Sequence, residues 1–327
     1  MTRRAWLHGG WLLLACALLT WLALTRGALP ITAEQVWQAL RGQGAANVQL
    51  IVMEWRLPRV LMALLIGAAL GVSGAIFQSL LRNPLGSPDI LGFNTGAYSG
   101  VLVALVLFNQ SITAMTGAAL IGGIATAALV YLFAWRNGVE TFRLIIVGIS
   151  VRALLMALNA WLIISASLES ALSAGLWSAG SLNGITWAKT PPVVTVLLLS
   201  LLLVALLTRR MRLLEMGDDT ACALGVPVER SRLWLMLLGV LLTAASTALA
   251  GPISFVALLA SQIARRLSGG EKGALWLTAL CGALLLCAAD YAAQHLFLPY
   301  QLPVGVITVS LGGLYLIALL VREARRQ

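Results

Sequence analysis

Long, uninterrupted apolar runs recur along the whole chain, and they limit the folds open to it. The first run extends from Trp6 to Leu24. About 20 apolar residues cross the hydrocarbon core of a bilayer as a helix, and a backbone in lipid must satisfy its own hydrogen bonds. The runs are too long, and alternate too rarely, for the strands of a barrel. With 60% hydrophobic and 10% charged residues, the sequence predicts an all-α polytopic membrane protein.

Ten runs have the length and composition of a membrane-crossing helix, and we predict that they form a single transmembrane domain over residues 1–327. The eighth run is the weakest, because only 12 apolar residues follow the Gly251-Pro252 break, about 18 Å of helix. A re-entrant segment is the alternative there, but the parity of the following helices favours a crossing. The predicted spans are 6–25, 56–79, 89–108, 112–134, 142–165, 190–208, 231–250, 253–267, 274–293 and 303–321.

The basic residues predict the orientation of these spans. With the N-terminus in the cytoplasm, sixteen of the 22 Lys and Arg residues fall in cytoplasmic segments and five in outer segments. The positive-inside rule then predicts that both termini are cytoplasmic. This distribution accounts for the net charge of +10 without a nucleic-acid partner. In the long cytoplasmic segment 209–232, between the sixth and seventh spans, we predict a short helix that begins near Gly217 and ends at Gly225.

The sequence offers little for catalysis. The four cysteines form no C-x-x-C pair, and neither a phosphate loop nor a zinc-protease or serine-hydrolase motif is present. We therefore predict no catalytic site, no resident metal or cofactor and no ATP hydrolysis by this chain alone, which argues against an intramembrane enzyme. An ion-coupled secondary transporter remains the alternative, although such proteins use carboxylates near mid-membrane and the spans offer only Asp290, near an outer end.

Three features inside or beside the spans are unusual. Gly67 and Gly71 form a small-residue pair that favours close helix packing, and the same holds for the stretch 117–123. Arg152 lies about ten residues into the fifth span, where an arginine costs roughly 2.5–3.5 kcal/mol on insertion scales. It is either a pathway residue, or a structural residue whose side chain binds backbone carbonyls or extends to the membrane surface. For Asp290 we expect a structural polar contact.

Five stretches, in this order, resemble the FecCD family, the permeases of type II ABC importers for iron–siderophores and cobalamin. They are "EWRLPRVLMALLIGAALGVSGAIFQSLLRNPLGSPDILGFNTGA", "LWSAGSLNG", "LEMGDDTACALGV", "AGPISFVALLA" and "LPVGVITVSLGG". The resemblance covers about residues 30–320. It implies ten helices per subunit in the bacterial inner membrane, two permease subunits around one pathway, two cytoplasmic ATPases that bind ATP and Mg, and a periplasmic siderophore-binding protein. It also implies a ferric siderophore as substrate, ferric enterobactin in particular, with iron present only inside it.

The same resemblance assigns roles to individual residues. It places Arg56 and Arg59, which flank Pro58, at an outer surface that docks the binding protein. It makes 214–226 the segment that contacts the ATPase, and the substrate, a bulky anion, suggests Arg152 as a pathway residue. The cytoplasmic gate would comprise Asn83, Leu85, Glu140 and Thr141, and the ATPase contact Leu214, Glu215, Gly217, Asp218, Asp219, Leu224 and Gly225.

The sequence departs from the family pattern at two places. Ser261-Gln262 stands where members commonly have Pro-His, which bears on the geometry of the eighth helix. Gln294 stands where some members carry a further docking arginine. A non-identical second permease would then supply the missing outer charge.

Overall fold

A computed structural model describes residues 3–27, 29–108, 112–136, 138, 140–269, 275–297 and 300–324 of the chain. Helices make up most of these ranges, and each of the ten predicted spans coincides with one of them. The helices are α1 (Arg3–Thr25), α2 (Ala33–Leu40), α3 (Ala46–Gln49), α4 (Leu57–Leu80), α5 (Phe93–Phe108), α6 (Ile112–Ala134), α7 (Thr141–Ser165), α8 (Leu168–Ser178), α9 (Pro191–Glu215), α10 (Asp218–Ala223), α11 (Val228–Ala250), α12 (Val256–Leu267), α13 (Leu275–His295) and α14 (Val304–Ala324).

Seven of the described helical segments are long and apolar enough to cross a membrane, so this is a multi-pass membrane protein. α5 and α14 are apolar but shorter over their described residues, and α12 has 12 residues. The total of ten crossings, with both termini in the cytoplasm, stays a prediction. The seven segments are Arg4–Thr25, Ala46–Leu80, Ala114–Ala134, Thr141–Ser165, Pro191–Glu215, Val228–Ala250 and Leu275–His295.

Helix α4 lies at the centre of the bundle and packs against α9, α11, α12 and α13. In its most apolar part, 72% of the residues are buried, against 11% for α7. Since a helix that is apolar all round is stable either in a protein core or against lipid, the two helices occupy different environments. α4 forms the core, and α7 presents its side chains outward from this chain.

Glycines allow α4 to approach its neighbours at backbone distance. A Cβ atom added to Gly67 would collide with the carbonyl oxygen of Gly282 on α13, and one added to Gly282 would collide with that of Gly67. A Cβ atom added to Gly74 would likewise collide with the carbonyl oxygen of Ala257 on α12. In addition, Ser73 donates a buried 2.8 Å hydrogen bond to the carbonyl of Gly239 on α11. The predicted packing role of the glycines in α4 is confirmed.

The segment 251–255 between α11 and α12 is not helical, which explains why the eighth apolar run is short. Gly251 has φ 72° and Phe255 has φ 69°, a left-handed conformation that a phenylalanine rarely adopts. Hydrogen bonds hold the neighbouring backbone in place. In one of them, the Ser181 N–H donates to the Ala250 carbonyl at 2.7 Å. Irregular backbone of this kind is tolerated in a membrane protein where protein surrounds it.

The start of the second span is more elaborate than the sequence indicates. Pro58 lies in the first turn of α4, as its place in the sequence suggests, but a π-helical turn, Leu50–Arg56, joins α4 to α3 without a break. The sequence analysis also omitted α2, although Thr32 and Gln35 form a capping box at its N-terminus. The short helix α10 lies where it was expected.

The α4–α13 contact predicts a sharp difference between two glycine substitutions. Gly67→Val should lower the stability of the folded chain by about 1–3 kcal/mol, because the added atoms overlap the α13 backbone. Gly117→Ala, on α6, is the control: contrary to the packing expected for the stretch 117–123, no atom of the described residues lies within 4 Å of a Cβ added at Gly117, and alanine favours the helix. Thermal unfolding of the detergent-purified protein measures both. Equal melting temperatures for Gly67→Val and the wild type would contradict the packing.

Candidate functional site

At the outer end of α4, Arg56 is bonded to the backbone that connects α1 to α2. Its guanidinium donates to the carbonyl of Leu24 at 2.6 Å and to that of Leu29. The π-helical turn places Arg56 there, at the junction with α4. Arg56 therefore fastens the outer segment that contains α2 and α3 to the top of the bundle.

Arg59, one turn further along α4, forms a two-point ion pair with Asp290 on α13. Its Nε lies 2.9 Å from one carboxylate oxygen and its Nη2 lies 2.8 Å from the other. The two side chains are 15% and 4% exposed, respectively. Gln294, one turn along α13, also donates to the Asp290 carboxylate, at 2.9 Å. Asp290 thus has the structural polar contact expected from the sequence, with a partner that the sequence analysis did not identify.

The two arginines predicted to dock a binding protein are thus both engaged inside this chain. Arg56 is partly exposed, whereas most of the Arg59 side chain is buried with Asp290. Their docking role stays a prediction. Gln294, where some family members carry an arginine, lies in the same cluster.

At the C-terminal end of α4, which is predicted to face the cytoplasm, a tight loop contains two of the predicted gate residues, Asn83 and Leu85. The side chain of Asn83 accepts a hydrogen bond from the backbone N–H of Leu85 at 2.9 Å, and its carbonyl accepts one from Gly86. Gln262 on α12 donates to the carbonyl of Pro84. Leu85 is left 42% exposed at the tip of the loop. This stretch, residues 81–88, is called the gate loop below.

Glu140 and Thr141 begin α7 next to the gate loop, as predicted. The hydroxyl of Thr141 lies 3.5 Å from the carbonyl of Leu80, the last residue of α4. Glu140 pairs with Arg143 at 3.4 Å. The structure therefore places the start of α7 against the end of α4, from which the gate loop continues, and the function of the four residues as a gate stays a prediction.

The predicted ATPase-contact segment forms a compact turn below α9. Leu214 is buried, Gly217 precedes α10 with φ 115°, and Gly225 follows it with φ 79°. Asp219 in α10 and Leu224, directly after that helix, are both exposed. Their part in an ATPase contact stays a prediction.

An ion-pair network connects this segment to the gate loop. Asp218, the first residue of α10, lies 2.6 Å from Arg82 in the gate loop and 2.9 Å from Arg232 on α11. Arg82 also donates to the carbonyl of Leu214 at 3.1 Å, and Arg232 lies 3.4 Å from Glu229. The sequence analysis assigned Asp218 to the ATPase contact but missed Arg82, because 136 residues separate the two.

Arg152 lies on α7, about 16 Å along the helix from Thr141. It borders an open cavity of about 390 Å³ between α5, α7 and the end of α8. Within the described residues, no three His, Cys, Asp or Glu side chains are placed to hold a metal ion.

Known proteins match this chain along almost its entire length. The model of the FecCD transport family matches residues 13–322. The ferric enterobactin transport system permease protein FepG of Escherichia coli (strain K12) is 66% identical over 96% of this chain and 95% of its own length. The Fe(3+) dicitrate transport system permease protein FecD of the same organism is 37% identical over 95% and 96%. A solved metal-chelate type ABC transporter, in an inward-facing conformation, superposes with a TM-score of 0.85 at 28% identity, covering 96% of this chain and 98% of that one.

The buried ion pair predicts that removing one of its two charges lowers the stability of the fold more than removing both. Asp290→Ala leaves the Arg59 charge unpaired, which should lower the free energy of unfolding by about 3–5 kcal/mol. The double variant Arg59→Met with Asp290→Leu removes both charges and should recover most of that loss. Thermal unfolding in detergent measures the difference. A double variant no more stable than Asp290→Ala would contradict the pairing.

Proposed function

Because this chain belongs to the FecCD transport family, we propose that it is the transmembrane permease subunit of an ATP-driven importer that moves a ferric siderophore, ferric enterobactin, from the periplasm to the cytoplasm. The observation that carries the substrate is the high identity to the Escherichia coli ferric enterobactin permease, which extends over nearly the whole of both chains.

The proposed assembly contains a second, non-identical permease subunit, two cytoplasmic ABC ATPases that bind ATP and Mg, and a periplasmic siderophore-binding protein. This chain lies in the bacterial inner membrane with ten crossings and both termini inside. The outward-facing α7 supports a second permease, since its side chains are largely uncovered in the single chain. Iron crosses only as part of the chelate.

Docking of the binding protein is proposed for the outer surface around Arg56. A cation held in place by two backbone carbonyls loses little side-chain entropy when an acidic partner binds, and charge complementarity steers the encounter. Arg59 is proposed to act from beneath, through its pair with Asp290. In the assembled importer, Arg56→Glu should then reduce stimulation of ATP hydrolysis by the binding protein. Unchanged stimulation would remove Arg56 from this surface.

Coupling is proposed to run through the Arg82–Asp218 ion pair. When the ATPases move α10, the pair transmits the displacement to the gate loop, because Arg82 holds both Asp218 and the carbonyl of Leu214. Arg232 on α11 holds Asp218 from the other side at 2.9 and 3.0 Å. Asn83 and Leu85 open and close the cytoplasmic end, next to Glu140 and Thr141.

Reconstitution separates this function from the alternative of an ion-coupled secondary transporter. Vesicles that contain both permeases and the ATPase, supplied with the binding protein, should accumulate ferric enterobactin when ATP is provided. Uptake should continue after the proton gradient is collapsed and stop when ATP is withdrawn. Uptake that follows the proton gradient and ignores ATP would contradict the proposal.

The ion-pair network predicts a loss of coupling. Arg82→Asn removes the guanidinium but keeps a residue that tolerates the φ of 48° found there. ATP hydrolysis should persist while the amount of siderophore imported per ATP falls severalfold. The control is Arg210→Gln, which removes an exposed positive charge from the end of α9. An unchanged ratio of uptake to hydrolysis in Arg82→Asn would exclude the ion pair as the coupling element.

A further inference from the structure

The cavity beside Arg152 has both polar and apolar side chains in its lining. Its volume of about 390 Å³ falls in the range of small-molecule sites in proteins. α5 supplies one side of it, α7 the opposite side and α8 the end. Polar lining residues include Asp89, Asn94, Tyr98, Arg152, Asn159 and Ser178.

Arg152 is brought to this cavity by close contact between α7 and the residues before α5. Gly148, one turn earlier on α7, packs against the buried Leu91, and Gly92 lies against the Arg152 backbone. A side chain larger than hydrogen at either glycine would push α7 away. The backbone of Arg152 therefore has a defined position at the cavity wall, and its side chain is exposed.

Asp89, an acid that interacts with Arg152, already has hydrogen-bond partners within the protein. Asp89 accepts hydrogen bonds from the side chain of Asn94 and from the backbone N–H of Phe255, and it interacts electrostatically with Arg152. Asn94 in turn accepts a 2.9 Å hydrogen bond from Thr247 on α11. Asp89 thus holds the irregular segment 251–255 in place and is a charge partner of Arg152 within the chain.

Asn159 provides the observation that points to a ligand. It lies two helical turns after Arg152 on the same face of α7, lines the cavity and is 5% exposed. Its side-chain oxygen is buried and, within the part of the chain that the structure describes, has no hydrogen-bond partner. Leaving a buried acceptor unpaired costs about 1–3 kcal/mol, so its retention beside a cavity favours a partner that arrives from outside the chain.

We propose that this cavity is a binding site on the import pathway that holds part of the anionic ferric chelate, with Arg152 pairing its charge and Asn159 accepting a hydrogen bond from it. This assignment rests on the proposed function. It resolves the two alternatives for Arg152 in favour of the pathway. The remainder of the chelate would lie against the second permease, since α7 faces outward from this chain.

Uptake by the reconstituted importer tests the two residues. Arg152→Gln and the similar-sized Asn159→Leu should each slow ferric enterobactin uptake by about tenfold, the effect of one hydrogen bond to a charged or buried group. Arg152→Lys should retain more uptake than Arg152→Gln. Ser150→Ala is the control, because the Ser150 hydroxyl bonds only its own helix, at the carbonyl of Ile146.

Chemical protection tests occupancy directly and does not depend on the rate of transport. In an Asn159→Cys variant that also carries Cys222→Ser, which removes the exposed native cysteine, a thiol-reactive maleimide should modify position 159. Ferric enterobactin delivered by the binding protein should slow this modification severalfold, and the binding protein without siderophore should not.

The outcomes separate the two claims. Wild-type uptake rates in both Arg152→Gln and Asn159→Leu, or a modification rate at position 159 that siderophore does not change, would overturn the cavity as a binding site. A wild-type importer that takes up no ferric enterobactin would overturn the proposed function itself.

Discussion

The close packing of α4 against its neighbours is the constraint on which the rest of the structure depends. In lipid there is little hydrophobic force between helices, so association relies on close contact and interhelical hydrogen bonds. Gly67, Gly74 and Gly282 remove the side chains that would hold the backbones apart, and Ser73 adds a buried hydrogen bond to α11. α4 is thereby fixed along its length, and both of its ends become defined positions on opposite sides of the bundle.

Charged residues are concentrated at these two ends and serve different purposes. At the outer end, the Arg59–Asp290 pair is almost fully buried, so each charge depends on the other and the contact is rigid. At the inner end, Arg82 and Asp218 are 43% and 45% exposed, and an exposed pair contributes little to stability by itself. A weak, accessible pair that joins a loop to a short surface helix is suited to movement, and this difference supports docking outside and coupling inside.

The sequence predicted the helices well because apolar length is a local property, readable from each run alone. The packing role of Gly67 and Gly71 could also be predicted from their spacing within one run. The sequence does not show which charged residues pair with each other. Arg59 and Asp290, for example, are separated by 231 residues and meet only because α4 packs against α13. The same limit applies to Arg82 with Asp218 and to the cavity, whose lining comes from several helices. The eighth run looked too short because segment 251–255 abandons helical geometry, and only its contacts with distant backbone show why that is tolerated.

The proposed coupled movement of the gate loop and α10 is tested most directly by distances between spin labels. One label is attached to the native Cys222 on α10, and the other to a Leu85→Cys variant in the gate loop. A second pair joins the label at position 85 to one at the exposed Leu154 on α7. In the assembled importer, binding of ATP should leave the 85–222 distance unchanged and alter the 85–154 distance. A change in the 85–222 distance on ATP binding, with 85–154 constant, would contradict a rigid link between the ATPase contact and the gate.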